Sequence, residues 1–201
     1  MTNRIILAAV LAAVAAPAFA QTVPPTATQA PKDDLVRVAI ETEKGRIVVA
    51  LDRGRAPLTT ANFLGYVDKR WLDGQPFYRA MPFASGGLIQ GGVRDGAKQL
   101  APIAIETTAT TGLHNKAGAI VMANAGANTT RSDFFILTTD VASFDATANA
   151  PGFAPFGMVV EGMEVVKAIF AAPRSPTKGE GVMKGQMLDP VVKIVKAARV
   201  K

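Results

Sequence analysis

Arg79 and Gln90 are the polar side chains of this sequence best placed to do chemistry, because each stands alone among apolar neighbours. Arg79 lies in Phe77-Tyr78-Arg79-Ala80-Met81-Pro82, and Gln90 ends the apolar part of Leu88-Ile89-Gln90-Gly91-Gly92. Two further runs, Val121-Met122-Ala123-Asn124-Ala125-Gly126 and Ser132-Asp133-Phe134-Phe135-Ile136, set Met122 and Phe135 on strand-like segments. A guanidinium stays ionised and presents its donors in a rigid plane. The combination reads as a shallow apolar pocket with one fixed cation, suited to stabilising charge on a bound group. On pattern alone, Met122, Phe134 and Phe135 would be strand core, and Arg79 an ordinary surface ion-pair partner.

Other chemistries are poorly provided for. His114 is the only histidine and there is no cysteine, so no metal site is expected. A nucleophile elbow at Ser85-Gly86 is not supported, since Phe83 stands where that motif has glycine and nothing in the sequence pairs with His114. The formal charge of +6 over 201 residues is spread along the chain. Without clustered basic residues interleaved with aromatics, nucleic acid is not an expected partner.

Short strand-like runs carry these residues, behind an opening segment with period-two alternation. Val36, Val38 and Ile40 alternate with Arg37, Ala39 and Glu41, and Lys44-Gly45 turns the chain into a second strand over 46–51, which together make an opening hairpin. Leu58, Ala61, Leu64, Val67 and Trp71 follow at helical spacing behind Pro57 and fade before Asp73-Gly74. Gly65 inside this helix costs about 1 kcal/mol relative to alanine, which points to close packing against a neighbour. Short strands are expected over 77–81, 88–90, 101–106, 118–123, 134–138 and 155–160. A second helix over 161–171, with Met163, Val166 and Phe170 on one face and Pro173 ending it, precedes a closing strand over 191–197. Many short strands with two helices far apart in sequence predict a mainly β fold, a closed barrel capped at its ends.

The first twenty residues read as a signal peptide: Arg4, an apolar stretch from Ile5 to Ala16, and Ala18-Phe19-Ala20 before a cut at Gln21. The apolar run is short of the ~20 residues a spanning helix needs, so no membrane span is expected. Residues 21–34, rich in Pro, Thr, Ala and Gln, have the composition of a flexible linker. One domain should fill 35–201. An Ala-rich leader suits a bacterial periplasm.

The quoted blocks resemble the active-site strands of the cyclophilin family of peptidyl-prolyl cis/trans isomerases, in its bacterial exported branch. Ala56-Pro57-Leu58-Thr59-Thr60-Ala61-Asn62-Phe63 is similar to the family's first-helix entry, Phe156-Gly157-Met158-Val159 with Glu161-Gly162-Met163 to its late strand and second helix, and Thr111-Gly112-Leu113-His114-Asn115 to exported members. The resemblance implies an eight-stranded antiparallel barrel with two capping α-helices and an outer-face site. It implies prolyl isomerase activity on proline-containing unfolded or exported polypeptides, without a cofactor, by a monomer. Arg79 would be catalytic with Gln90 and Phe135. Leu88, Met122 and Phe135 would line the proline slot, with Phe144 and Phe153 at pocket positions and the Asn124 backbone pairing with the peptide. Uncatalysed prolyl isomerisation takes tens to hundreds of seconds, and an acceleration of ~10⁵-fold asks the site for roughly 7 kcal/mol.

The sequence departs from the family pattern in several places. Tyr78 replaces a usual histidine, and the 79–90 stretch is long, so the closing aromatic is either a displaced Phe83 or is lost to Gly87. Asp133 stands where glutamine is common and would put a carboxylate near Arg79. Phe153 takes the place of a pocket histidine. The only tryptophan is Trp71 in the first helix, so weak cyclosporin binding is expected. A second reading keeps the same pocket for a proline-peptide-binding chaperone or scaffold with little turnover.

Overall fold

The computed structural model describes residues 34–126 and 128–201. The expected leader, and all of the expected linker except Asp34, lie outside these residues. Asp34 is held by Arg53, whose Nε and Nη2 donate to its carboxylate at 2.7 and 2.6 Å.

Eight strands form the barrel: β1 (Leu35–Thr42), β2 (Gly45–Asp52), β3 (Pro76–Pro82), β4 (Gly87–Gly91), β5 (Ala119–Met122), β6 (Phe134–Leu137), β7 (Ala154–Glu161) and β8 (Met187–Val200). They close in the order β1-β2-β7-β5-β6-β4-β3-β8 with antiparallel neighbours throughout. Closure leaves no sheet edge unpaired. Alternation then sorts side chains: Val38, Ile40, Ile47, Val49, Leu51, Ile89, Ile120, Met122, Phe134 and Ile136 fill the interior, while Leu88, Val121, Phe135 and Leu137 form a second apolar cluster on the outer face.

Helix α1 (Pro57–Asp68) joins the end of β2 to the start of β3, and α3 (Met163–Phe170) lies against the β1–β2 and β3–β4 turns at the opposite end. From α1, Phe63 reaches Phe134 at 5.3 Å and Phe156 at 5.4 Å between ring centroids. A Cβ on Gly65 would lie 2.9 Å from Leu100 Cδ1, so close packing accounts for this helical glycine. The pattern ran α1 on to Trp71, but Arg70 takes a left-handed φ of 57° that ends the helix. Trp71 packs beside Tyr66 instead. A further one-turn helix, α2 (Thr108–Thr111), was not expected.

The strand expected over 101–106 does not form. Ile103 makes only an isolated bridge to Thr130, and Pro102 has no N–H to give a ladder. The segment instead delivers Glu106 to α1, where its carboxylate accepts from the N–H groups of Leu58 and Thr59 at 3.2 and 2.7 Å and satisfies otherwise orphaned helix donors. Among the described residues no helix is long and apolar enough to cross a membrane.

Candidate active site

A β-bulge builds the polar part of the site. In the β3–β4 ladder Phe77 pairs with Gly91 and Arg79 with Gln90, leaving Tyr78 as the extra residue. The extra residue breaks alternation: Phe77 and Ala80 both enter the core, and Tyr78 and Arg79 both project outward. Cross-strand pairing with Gln90 puts Arg79 Nη1 2.9 Å from Gln90 Oε1. Arg79 Nε and Nη2 donate to Gln186 Oε1 at 2.9 and 2.7 Å, and Nη2 lies 3.1 Å from Met81 Sδ. A guanidinium has five N–H groups, and these contacts engage four. Burial draws the Arg79 pKa below its usual range, yet the group remains ionised.

Asp133 does not neutralise Arg79 as its position in sequence suggested. Its Oδ2 accepts from the Tyr78 hydroxyl at 2.8 Å and pairs with Arg94 at 3.6 Å, while the Arg94 guanidinium lies 4.6 Å over the Tyr78 ring. Gly92 makes room for this carboxylate, since a Cβ there would collide with it. Burial raises the Asp133 pKa against the Tyr78 bond and Arg94, which lower it; burial and then the Asp133 charge raise that of Tyr78. A carboxyl with a raised folded pKa binds its proton more tightly in the fold than in the unfolded chain. Its contribution to stability therefore falls as pH rises from the unfolded value, about 3.9, through the folded one. Asp133→Asn is expected to flatten this part of the stability profile, measured by urea unfolding from pH 3 to 7; an unchanged slope would show that Asp133 titrates normally.

Beside the cation lies an aromatic cluster. Phe135 is flanked by Phe144 at 5.9 Å and Phe153 at 5.4 Å, those two rings are 4.7 Å apart, and Phe83 meets Phe144 edge-on at 5.7 Å. Leu88 completes the floor. Phe83 thus stands with the pocket aromatics, whereas Gly87 faces inward, where a Cβ would strike the Phe170 ring and the Met81 carbonyl. Phe144 is held by its neighbour Asp145, whose Oδ1 accepts from Asn115 N and Nδ2 at 2.9 and 2.7 Å and whose Oδ2 receives His114 Nδ1 at 2.7 Å. A carboxylate only accepts, so His114 Nδ1 carries the proton. His114 therefore supports a loop, and among the described residues Ser85 makes no hydrogen bond to it, its Oγ lying instead 3.5 Å from Thr139 Oγ1.

Met122 is not part of the slot. It is fully buried inside the barrel, paired across the sheet with Phe134, and it is Val121 that stands opposite Phe135. Adjoining the aromatic cluster is an open cleft of about 660 Å³ lined by Tyr78, Gln90, Asn124, Thr129, Asp133 and Met187. Ala123 borders both regions. The Asn124 side chain is tied down, donating to Gly152 O and accepting from Gly126 N at 3.2 Å each. Gln186, Met81, Arg94 and the His114–Asp145 support were absent from the sequence reading. Met81 lies two residues from Arg79 on the same strand, whereas the others act across a turn or from a distant segment that no local pattern marks.

Residues 37–198 match the family model of the cyclophilin type peptidyl-prolyl cis-trans isomerases. The chain belongs to the cyclophilin family. It is 34% identical over 172 residues to peptidyl-prolyl cis-trans isomerase A of Dickeya dadantii, covering 84% of this chain and 85% of that one. A peptidyl-prolyl cis-trans isomerase of Acinetobacter baylyi is 34% identical over 141 residues, covering 69% of this chain and 73% of the relative. Among solved structures, a Cryptosporidium parvum cyclophilin shares the fold with a TM-score of 0.68 at 20% identity, covering 83% of this chain and 98% of that one. This cyclophilin thus carries its outward Arg79–Gln90 pair beside the aromatic cluster, on the face away from the barrel core.

Proposed function

We propose that this cyclophilin isomerises Xaa-Pro bonds of exported polypeptides in the periplasm, with Arg79 acting on the prolyl nitrogen. The observation that carries the reading is the guanidinium itself: it is clamped between Gln90 and Gln186, with an Nη1 N–H uncommitted among the described residues, next to a slot floored by Phe135 and Leu88.

Twisting an amide out of plane removes its resonance, so the nitrogen pyramidalises and acquires a lone pair. An N–H aimed at that nitrogen binds the twisted state more strongly than either planar isomer, which is the condition for catalysis. No bond is made to the enzyme and no proton is transferred. Phe83, Phe135, Phe144 and Phe153 hold the pyrrolidine ring apolarly, Gln90 orients Arg79 and the substrate carbonyl, and the peptide runs along the cleft past Asn124. Low affinity for cyclosporin follows from a pocket rim of phenylalanines, because Trp71 lies beyond α1. Export is supported by the leader pattern before Gln21, and isomerisation there needs no ATP.

The test is exchange NMR on a short Xaa-Pro peptide with the chain starting at Gln21. Line broadening from faster cis/trans exchange is expected, along with a periplasmic protein whose N-terminus is Gln21. Absence of acceleration by a folded barrel would reject the enzymatic reading, and a cytoplasmic protein retaining Met1 would reject the exported one.

A further inference from the structure

Gln186 lies 107 residues from Arg79 in sequence, at the end of the segment that joins α3 to β8. Its backbone is pinned beside the site: Ala80 N donates to its carbonyl at 2.9 Å, and its own N–H donates to Met183 O at 3.1 Å. A large irregularity in the β3–β8 ladder, where Phe77 pairs with Val192 but Arg79 with Met187, brings this segment alongside the bulged Arg79. The side-chain amide is then fully specified. Its oxygen takes both Nε and Nη2 of Arg79, and its nitrogen donates to Val182 O at 2.7 Å. The reverse orientation would set donor against donor and acceptor against acceptor.

We propose that Gln186 is a positioning residue for the isomerisation: it fixes the plane of the Arg79 guanidinium from the edge opposite Gln90 and does so with a neutral group. This rests on the reading of Arg79 as the group that acts on the prolyl nitrogen. Gln90 and the weakly accepting Met81 sulfur alone leave the guanidinium free to swing about its long side chain, and the Gln186 oxygen, which takes both Nε and Nη2, removes that freedom. A carboxylate in the same place would also hold the plane, but it would cancel the charge that the twisted amide needs and would repel the Val182 carbonyl. A neutral amide avoids both effects.

Two variants separate these contributions. Gln186→Met keeps the length and loses the acceptor. It is expected to lower kcat about tenfold, short of the ~10²-fold that a full 1 Å misplacement costs, with peptide Kd within twofold and an unchanged unfolding midpoint. The Arg79 Nε–Hε NMR resonance should shift and exchange faster with water. Gln186→Glu should keep that resonance protected and still lose at least as much kcat, because the plane is held and the charge is cancelled. A wild-type kcat in Gln186→Met, or a loss that follows weakened binding or unfolding, would overturn the inference. Arg79→Ala run alongside keeps the two ideas apart. An active Arg79→Ala would sink the role of Arg79, while the Nε–Hε resonance in Gln186→Met would still report whether Gln186 holds the guanidinium.

Discussion

Arg79→Ala is expected to lower kcat/KM for an Xaa-Pro peptide about 10²–10³-fold, the loss typical when a preorganised donor to a developing charge is removed. Peptide affinity should change little, because the planar ground state offers the guanidinium no lone pair and the aromatic slot and cleft remain. Arg79→Lys is the stricter comparison. It keeps the charge, but an ammonium has no planar fork with which to engage Gln90 on one edge and Gln186 on the other, so it should recover only a small part of the rate. Exchange NMR gives the rate, and titration of the same peptide gives the affinity. Equal losses of rate and affinity in Arg79→Ala would make Arg79 a binding group, and a full rate in Arg79→Lys would show that charge without geometry suffices.

What the sequence allowed to be read, and what it hid, divides along the physics of strands. Strand-like runs found the barrel strands, with 101–106 wrongly among them, and the sequence of short strands and motifs pointed to the barrel, because runs and motifs are local. The face a residue occupies depends on pairing and on bulges. Met122 and Phe135 both look like slot residues until the β5–β6 register sets Met122 opposite the interior Phe134. Tyr78 and Arg79 are neighbours that ordinary alternation would send to opposite faces. The bulge turns both outward, and the only hint in sequence is that the inward Phe77 and Ala80 are three residues apart. The carboxylate of Asp133 is drawn off by Tyr78 and Arg94, a pairing that depends on the same bulge. Gln186 is furthest from legibility. Nothing about Gly185-Gln186-Met187 announces a partner in β3, and the contact exists only because β8 departs from its register there.

The same alternation gives the largest effect expected on stability. Phe134 and Phe135 are adjacent, of one type and both buried, at 0% and 3% exposure, yet they serve different ends. Phe134 faces the interior, packed edge-on against Phe63 at 5.3 Å and Phe77 at 5.7 Å. Truncation to alanine leaves a cavity enclosed by strands and α1, and should cost about 3–5 kcal/mol, a large share of the 5–15 kcal/mol typical of a domain. Phe135 faces outward under Phe144 and Phe153, which can settle into the space it vacates, so Phe135→Ala should cost less in stability. Its isomerisation rate should nevertheless fall at least tenfold, since the proline ring loses its floor, whereas Phe134→Ala should keep most of its activity below its lowered unfolding transition. Urea unfolding at constant m-value and exchange NMR on both variants check the contrast. Equal stability losses with equal activity would mean that the outer cluster is merely a second core and that the proline ring binds elsewhere.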